Sequence, residues 1–188
     1  MEEKGTLPLL RIGDPKALAA MMTEYGDRLL RAAYGLCRDR AQAQDLVQET
    51  FCRVIPALGR YRGDGLLFTW LYSVMRNLFL KNVRRQRLFS LFSQTAGGVP
   101  VSPGPERHAV AEEERGLLSA ALERLPARQR EVLLLRFSEE MRLGEIAAAL
   151  KISRGTVKSR LHNALKRLRR SLPSGGLAGI ELEVDHDL

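Results

Sequence analysis

The segment from residue 153 to residue 170 contains the side chains of this sequence that are best suited to bind a polyanion. The run SRGTVKSRLHNALKRLRR has seven basic side chains and no acidic one. Lys, Ser and Asn can pair with the edges of nucleic-acid bases, and Arg side chains further from the bases suit phosphate contacts. The phosphate-contacting candidates are Arg154, Arg160, Arg167 and Arg169. These residue types indicate non-covalent recognition of nucleic acid.

The spacing within this segment predicts a helix with two different faces. Apolar residues follow steps of four, three and four, which places them on one face, directed at a core. They are Val157, Leu161, Ala164 and Leu168. The opposite face is polar and would carry Lys158, Ser159, His162, Asn163 and Lys166.

A shorter helix is predicted immediately upstream, with Ile146, Ala147 and Leu150 directed inward. A tight turn at Lys151 and Ile152 would follow it, and Ser153 is a plausible N-cap of the longer helix. Together these features predict a helix-turn-helix. The alternative is an ordinary helical bundle whose basic face is only solvated.

The residue types required for catalysis or metal binding do not cluster in the sequence. Cys37 and Cys52 are too few for a disulfide framework, and a reducing compartment with inert thiols is the simpler interpretation. The histidines fall in a linker, the basic helix and the C-terminal tail, without a nucleophile–base pair or a set of metal ligands. We therefore expect no enzyme activity, no metal and no cofactor.

The elements that must position these residues are all predicted to be helices. Apolar periodicity predicts helices from Leu18 to Leu36, from Leu46 to Leu58, and through Trp70, Leu71, Val74, Met75 and Leu78, the last set directed inward. A fourth pattern begins near Glu112 and continues through Leu117, Leu118, Ala121 and Leu125, after which Pro126 suits the first turn of a further helix. The expected fold is all-α, with two small helical domains joined by a flexible linker. The expected boundaries are an N-terminal extension at 1–17, domains at 18–89 and 112–172, a linker at 90–111 and an acidic tail at 173–188.

The positive charge lies in two separate blocks. The chain has a net charge of +8; residues 21–92 carry 12 basic and 6 acidic side chains, and residues 128–170 carry 12 and 4. Two basic blocks suggest two contacts on one long polyanion. The sequence shows neither a signal-peptide pattern at its start nor about 18 consecutive apolar residues. A cytoplasmic protein without membrane insertion is therefore expected.

Two motifs in the chain resemble parts of bacterial sigma factors. The C-terminal stretch LERLPARQREVLLLRFSEEMRLGEIAAALKISRGTVKSRLHNALKRLRR is similar to region 4, the domain that reads promoters. In the N-terminal half, AQDLVQETFCRV resembles the region 2 helix that binds polymerase, and YRGDGLLFTWLYSVMRN resembles the adjoining segment that opens the promoter. Their order and the linker between them indicate an extracytoplasmic-function (group 4) sigma factor of the sigma-70 family.

The resemblance implies a function and a set of site residues. Such a factor binds core RNA polymerase through the β′ clamp coiled coil and the β flap, directs it to promoter DNA, and is usually held inactive by an anti-sigma factor. The residues implied to bind core polymerase are Asp45, Gln48, Glu49 and Arg53. Those implied to bind minus-10 DNA are Tyr61, Arg62, Gly63, Asp64, Val74, Asn77, Lys81, Arg84 and Arg85, and those implied to bind minus-35 DNA are Arg154, Thr156, Lys158, Ser159, Arg160, His162, Asn163 and Lys166.

Several alternatives and departures remain open from the sequence. An autonomous helix-turn-helix regulator would explain the C-terminal half, the acidic face could be merely solvated, and Tyr61 and Trp70 could be core residues. Lys151 stands where the family commonly has Gly, and it can adopt the left-handed conformation only at a cost of roughly 1 kcal/mol. Asn163 and Leu165 stand where many relatives have Arg, so phosphate contacts at those positions are in doubt.

Overall fold

In a computed structural model, the structure describes residues 3–63, 65–92 and 118–172, and the regular elements in these ranges are all helices. The expected all-α fold is confirmed. The chain forms two compact units, Met1–Gly104 and Pro105–Leu188. Several expected features fall outside the described residues: Asp64, the linker beyond residue 92, the start of the fourth helical pattern at 112–117, and the acidic tail at 173–188.

Over residues 3–63 and 65–92, the first unit contains four α-helices and one 3-10 helix. The α-helices are α1 (Glu3–Arg11), α2 (Pro15–Cys37), α3 (Arg40–Val54) and α4 (Leu67–Phe92), and the 3-10 helix is Ile55–Arg60. Carboxylates begin two of the helices, because the side chains of Asp14 and Asp39 accept hydrogen bonds from backbone N–H groups in the first turns of α2 and α3. These caps therefore set where α2 and α3 begin.

Helices α2, α3 and α4 pack on one another through apolar faces of helical period. The buried hydroxyl of Thr50 on α3 donates to the Leu46 carbonyl at 2.7 Å, and this bond offsets the cost of removing the hydroxyl from water. The side chains of this core include Met21, Tyr25, Leu29, Leu46, Phe51, Val54, Leu71, Met75 and Leu78.

The first unit departs from the sequence expectations near its N-terminus and along α4. Helix α1 lies in the stretch 1–17, which was expected to be an N-terminal extension ahead of the first helix, and α2 begins at Pro15 rather than at Leu18. Trp70 and Val74, expected to point inward, are only half-buried. The buried stripe of α4 also includes Phe68 and Tyr72, which turns its centre away from these two residues. Helix α4 also continues to Phe92, past the expected start of the linker.

The second unit contains helical residues 118–123, here called α5, followed by α6 (Ala127–Phe137), α7 (Leu143–Leu150) and α8 (Arg154–Ser171). Pro126 is the N-cap of α6, one position before the first turn in which it was expected. Helix α8 packs against both α6 and α7. A cluster of buried side chains joins α5 and α6 to the C-terminal half of α8, and it consists of Ala121, Leu125, Leu133, Ala164, Leu165 and Leu168.

Candidate nucleic-acid interface

The turn between α7 and α8 is built as the sequence predicts. Lys151 ends α7 in the left-handed region, at φ 55° and ψ 49°. The backbone N–H of Ile152 donates to the Ala147 carbonyl at 3.0 Å, which satisfies one of the free carbonyls at the end of α7. Ser153 then caps α8, since its Oγ accepts the backbone N–H of Thr156 at 3.1 Å. The helix-turn-helix and its Ser153 cap are confirmed.

A close approach also holds α7 and α8 together. A Cβ at Gly144 would lie 2.8 Å from Nη2 of Arg154, closer than real side-chain contacts allow. The guanidinium of Arg154 therefore rests on the backbone of α7 at a position where glycine leaves room for it. Arg154 remains exposed, but its side chain is partly engaged in packing the two helices.

Helix α8 presents a basic face to solvent and an apolar face to the other helices of the second unit. Val157, Leu161, Ala164 and Leu168 are buried, as their spacing predicts. Leu165, which the predicted apolar face did not include, is also buried, at 1% exposure, so its side chain is not available for a phosphate contact. This position faces the core because it lies one turn from Leu161. The exposed side chains are Arg154, Lys158, Ser159, His162, Asn163, Lys166, Arg167, Arg169 and Arg170.

Two of the expected minus-35 residues are less accessible than the others. Thr156 and Arg160 are half-buried. The hydroxyl of Thr156 lies 2.9 Å from that of Ser153, and its backbone carbonyl accepts a bond from Oγ of Ser159. Thr156 thus contributes to the first turn of α8, whereas Lys158, Ser159 and His162 project from it.

Helix α3 carries an acidic and amide face on the first unit. Asp45 and Gln48 are exposed, and Glu49 is half-buried. Nη2 of Arg53 lies 3.4 Å from Oε1 of Glu49, one helical turn away. An exposed pair of this kind stabilises a helix by only about 0.3–0.5 kcal/mol, so Arg53 is easily drawn away by a partner. The structure brings together all four residues expected to bind polymerase.

The residues expected to bind minus-10 DNA lie on two elements. Tyr61 is 8% exposed, and its ring stacks on Trp70 with centroids 5.0 Å apart. The Tyr61 hydroxyl donates to the Gly65 carbonyl, and Gly63 has a φ of +81°. Arg62 is exposed. Tyr61 is therefore buried, as the alternative of a core residue expected, and its hydroxyl is already used within the loop.

From the Tyr61–Trp70 stack, polar and cationic residues continue along α4. Val74 is half-buried and Asn77 is exposed, and with Lys81 they follow Trp70 at steps of four, three and four, on one face of the helix. Arg84 and Arg85 are exposed beyond them. The structure thus places an aromatic pair, an amide and several cations in one continuous stripe.

Comparison with known proteins identifies the family. The model described as Sigma-70 region 2 matches residues 21–89, and that described as Sigma-70, region 4 matches residues 121–170. A sigma-E factor of Streptomyces avermitilis is 39% identical over 160 residues, covering 84% of this chain and 86% of that protein. The chain belongs to the sigma-70 family, among the extracytoplasmic-function sigma factors.

Further comparisons agree with this placement. The ECF RNA polymerase sigma factor SigE of Mycolicibacterium smegmatis is 33% identical over 174 residues, covering 89% of this chain and 67% of that protein. The fold resembles that of the sigma factor RpoE in a complex with the anti-sigma factor NepR from Bartonella quintana, with a TM-score of 0.69, 24% identity, and coverage of 85% of this chain and 99% of that one. The chain is thus an alternative sigma factor that directs transcription initiation, and an autonomous regulator is not favoured.

Sequence reasoning missed one group of contacts in this sigma factor. Nη2 of Arg11 donates to the Tyr61 carbonyl at 2.6 Å, and Cδ2 of Leu7 packs against Gly63. Only the pair of apolar residues Leu7 and Leu10, one turn apart, hinted at a helix there. Within the described ranges no group of three or more metal-ligating side chains occurs, and none of the helices described is long and apolar enough to cross a membrane.

Proposed function

We propose that this sigma factor divides promoter recognition between its two units. Helix α8 reads duplex minus-35 DNA, α3 binds core polymerase, and the α4 stripe holds separated bases of the minus-10 element. The observation that carries the proposal is the segregation of charge: an acidic face on α3, and cationic faces on α4 and α8.

Helix α8 has the shape and charge for the major groove. An α-helix with its side chains is about 10–12 Å across, close to the width of the groove. Residues near the start of a recognition helix reach the bases, which assigns base contacts to Lys158, Ser159 and His162, with Asn163 beside them. Arg154, Thr156, Arg160 and Lys166 would position the helix on the phosphates.

The face of α3 suits a protein partner better than DNA. Asp45 and Glu49 would repel phosphates, whereas Gln48 and the loosely paired Arg53 can adapt to a polar partner. Binding of the β′ clamp coiled coil is therefore assigned to this face. Contact with the β flap is assigned to the second unit.

The α4 stripe provides what an unstacked base requires. The Tyr61–Trp70 stack would form an aromatic wall, and the Asn77 amide can donate to and accept from a base edge. Val74 would form the apolar floor between them. Arg62 and Gly63 would shape and flank the entrance, and Lys81, Arg84 and Arg85 would neutralise the adjoining backbone. The expected contact of Asp64 lies outside the described residues.

The proposed function also implies how the protein is regulated, where it acts and which partner carries out the chemistry. We infer that an anti-sigma factor binds these surfaces and blocks them; the sigma factor RpoE of similar fold forms a complex with the anti-sigma factor NepR. The protein would act in the cytoplasm, where polymerase and chromosome meet. It would perform no catalysis itself and need no cofactor, because polymerase carries out the chemistry.

A charge reversal on α3 tests the proposal. The Asp45→Arg variant should weaken binding to core polymerase at least tenfold while leaving binding of the free protein to duplex DNA no weaker. Asp27→Arg, which reverses another carboxylate of the first unit, is the matched control and should bind core normally. Equal core affinities for the two variants would remove α3 from the polymerase interface.

A further inference from the structure

Helix α1 is too short to be stable by itself. It has nine residues, and Pro8 lies inside it and supplies no backbone N–H. Isolated helices shorter than about 12–15 residues are marginal in water. The helix must therefore depend on packing, and Leu10, at 2% exposure, is the residue that anchors it. Helix α1 contacts α2 and the 3-10 helix that leads to Tyr61.

Two further contacts connect α1 to the loop after that 3-10 helix. The Arg11 guanidinium donates to the Tyr61 carbonyl at 2.6 Å, across 50 positions of sequence. A Cβ at Gly63 would approach Cδ2 of Leu7 to 3.0 Å, so Leu7 occupies the space that the glycine leaves. Helix α1 thus holds the loop at its first and third residues.

These contacts help to hold Tyr61, which is one of the two rings of the proposed aromatic wall. The backbone N–H of Tyr61 donates to the Leu58 carbonyl at 3.1 Å, its carbonyl accepts from Arg11, and its hydroxyl donates to Gly65. With both backbone groups and the hydroxyl engaged, the ring has one orientation, stacked on Trp70. Of these restraints, the Arg11 bond is the one that comes from a distant element.

We propose that Arg11 is a positioning residue for minus-10 recognition, acting through the Tyr61 carbonyl to hold the loop and the aromatic wall in the shape that accepts a separated base. Arg11 itself does not touch DNA in this assignment. The inference rests on the proposed function, because it assumes that the Tyr61–Trp70 wall and Asn77 form the minus-10 surface.

The test uses holoenzyme assembled from core polymerase and the full chain. The probe is a fluorescein-labelled single strand covering the nontemplate minus-10 region of a promoter on which the wild-type protein initiates. Arg11→Ala should raise the Kd for this strand about tenfold, because binding must then order a loop that one charge-assisted hydrogen bond had held in place. Arg11→Lys, which retains a cationic donor, should recover binding to within about threefold of wild type.

The salt dependence of strand binding and the affinity for core polymerase distinguish a positioning role of Arg11 from a direct contact with phosphate and from a general role in folding. For a positioning residue, the slope of log Kd against log salt concentration stays at the wild-type value, whereas a direct phosphate contact would lower it by about 0.7. Lys16→Ala removes an exposed cation near α1 and is the matched control, with an unchanged Kd. Core affinity of Arg11→Ala should equal that of wild type.

Three results would overturn the proposal: an unchanged Kd in Arg11→Ala, a salt slope lowered by about 0.7, or a loss of core affinity as large as the loss of strand binding. The last would assign Arg11 to the folding of the whole unit. Failure of the wild-type holoenzyme to initiate would instead contradict the proposed function, so the two failures are distinguishable.

Discussion

The turn of the helix-turn-helix provides a quantitative test, because Lys151 holds a backbone conformation that costs free energy. Its φ of 55° and ψ of 49° are in the left-handed region, which costs a residue with a Cβ about 1–2 kcal/mol. Glycine has no such penalty, but it loses more backbone entropy on folding, worth about 0.5–1 kcal/mol. The Lys151→Gly variant should therefore stabilise the second unit by about 0.5–1 kcal/mol.

The assay must report on the second unit specifically. The single Trp and all four Tyr residues lie before residue 73, so their fluorescence reports on the first unit. Hydrogen exchange of α7 and α8 amides monitors the second, whereas far-UV circular dichroism reports on the helices of both units together. For a domain of this size, the expected gain corresponds to a rise of about 2–8 °C in the Tm of that unit.

The control for this variant is Lys151→Ala, which loses the same charge but retains a Cβ in the left-handed region. Duplex DNA affinity should be the same for both variants, since the same cation is lost from each. The reasoning would be refuted if Lys151→Gly unfolded at the same temperature as Lys151→Ala, or below it.

Three further predictions concern the α8 cap, the α8 basic face and the cysteines. Ser153→Ala removes the bond to the Thr156 N–H and should destabilise the second unit by about 1 kcal/mol in thermal unfolding, with Ser153→Asp retaining most of the stability. Lys166 is assigned to a phosphate, so Lys166→Ala should reduce the salt slope of duplex binding by about 0.9, and an unchanged slope would exclude that pairing. Burial, and secondarily Asp39, raise the pKa of Cys37 to about 11, so the folded state retains the thiol proton and its stability falls as pH rises from 9 towards 11. At pH 8, iodoacetamide should modify exposed Cys52 well before Cys37, and equal rates in folded protein would contradict this burial.

Local signals account for the parts of the structure that the sequence predicted well. The buried and exposed faces of α8 follow a 3.6-residue period that needs no tertiary information. The Ser153 cap is likewise a property of one residue and the helix after it. The assignment of residues to polymerase or DNA stays a prediction, because it came from resemblance and the structure contains neither partner.

Tertiary packing accounts for what the sequence did not predict. Helix α1 contains Pro8 and Gly5 and is stabilised by contacts with residues far along the chain, so its local propensity is poor. The Arg11–Tyr61 bond and the approach of Arg154 to Gly144 leave no periodic signal. Such contacts become visible only when distant segments meet.

Run-off transcription tests the central claim most directly. Purified core polymerase would be assayed with and without this protein, on a fragment from upstream of its own gene. The account predicts transcripts of defined length that require the protein and are lost in Asn77→Ala and Asp45→Arg, but not in the control Asp27→Arg. Binding of the protein to this DNA without any effect on initiation, and without binding to core polymerase, would contradict the account.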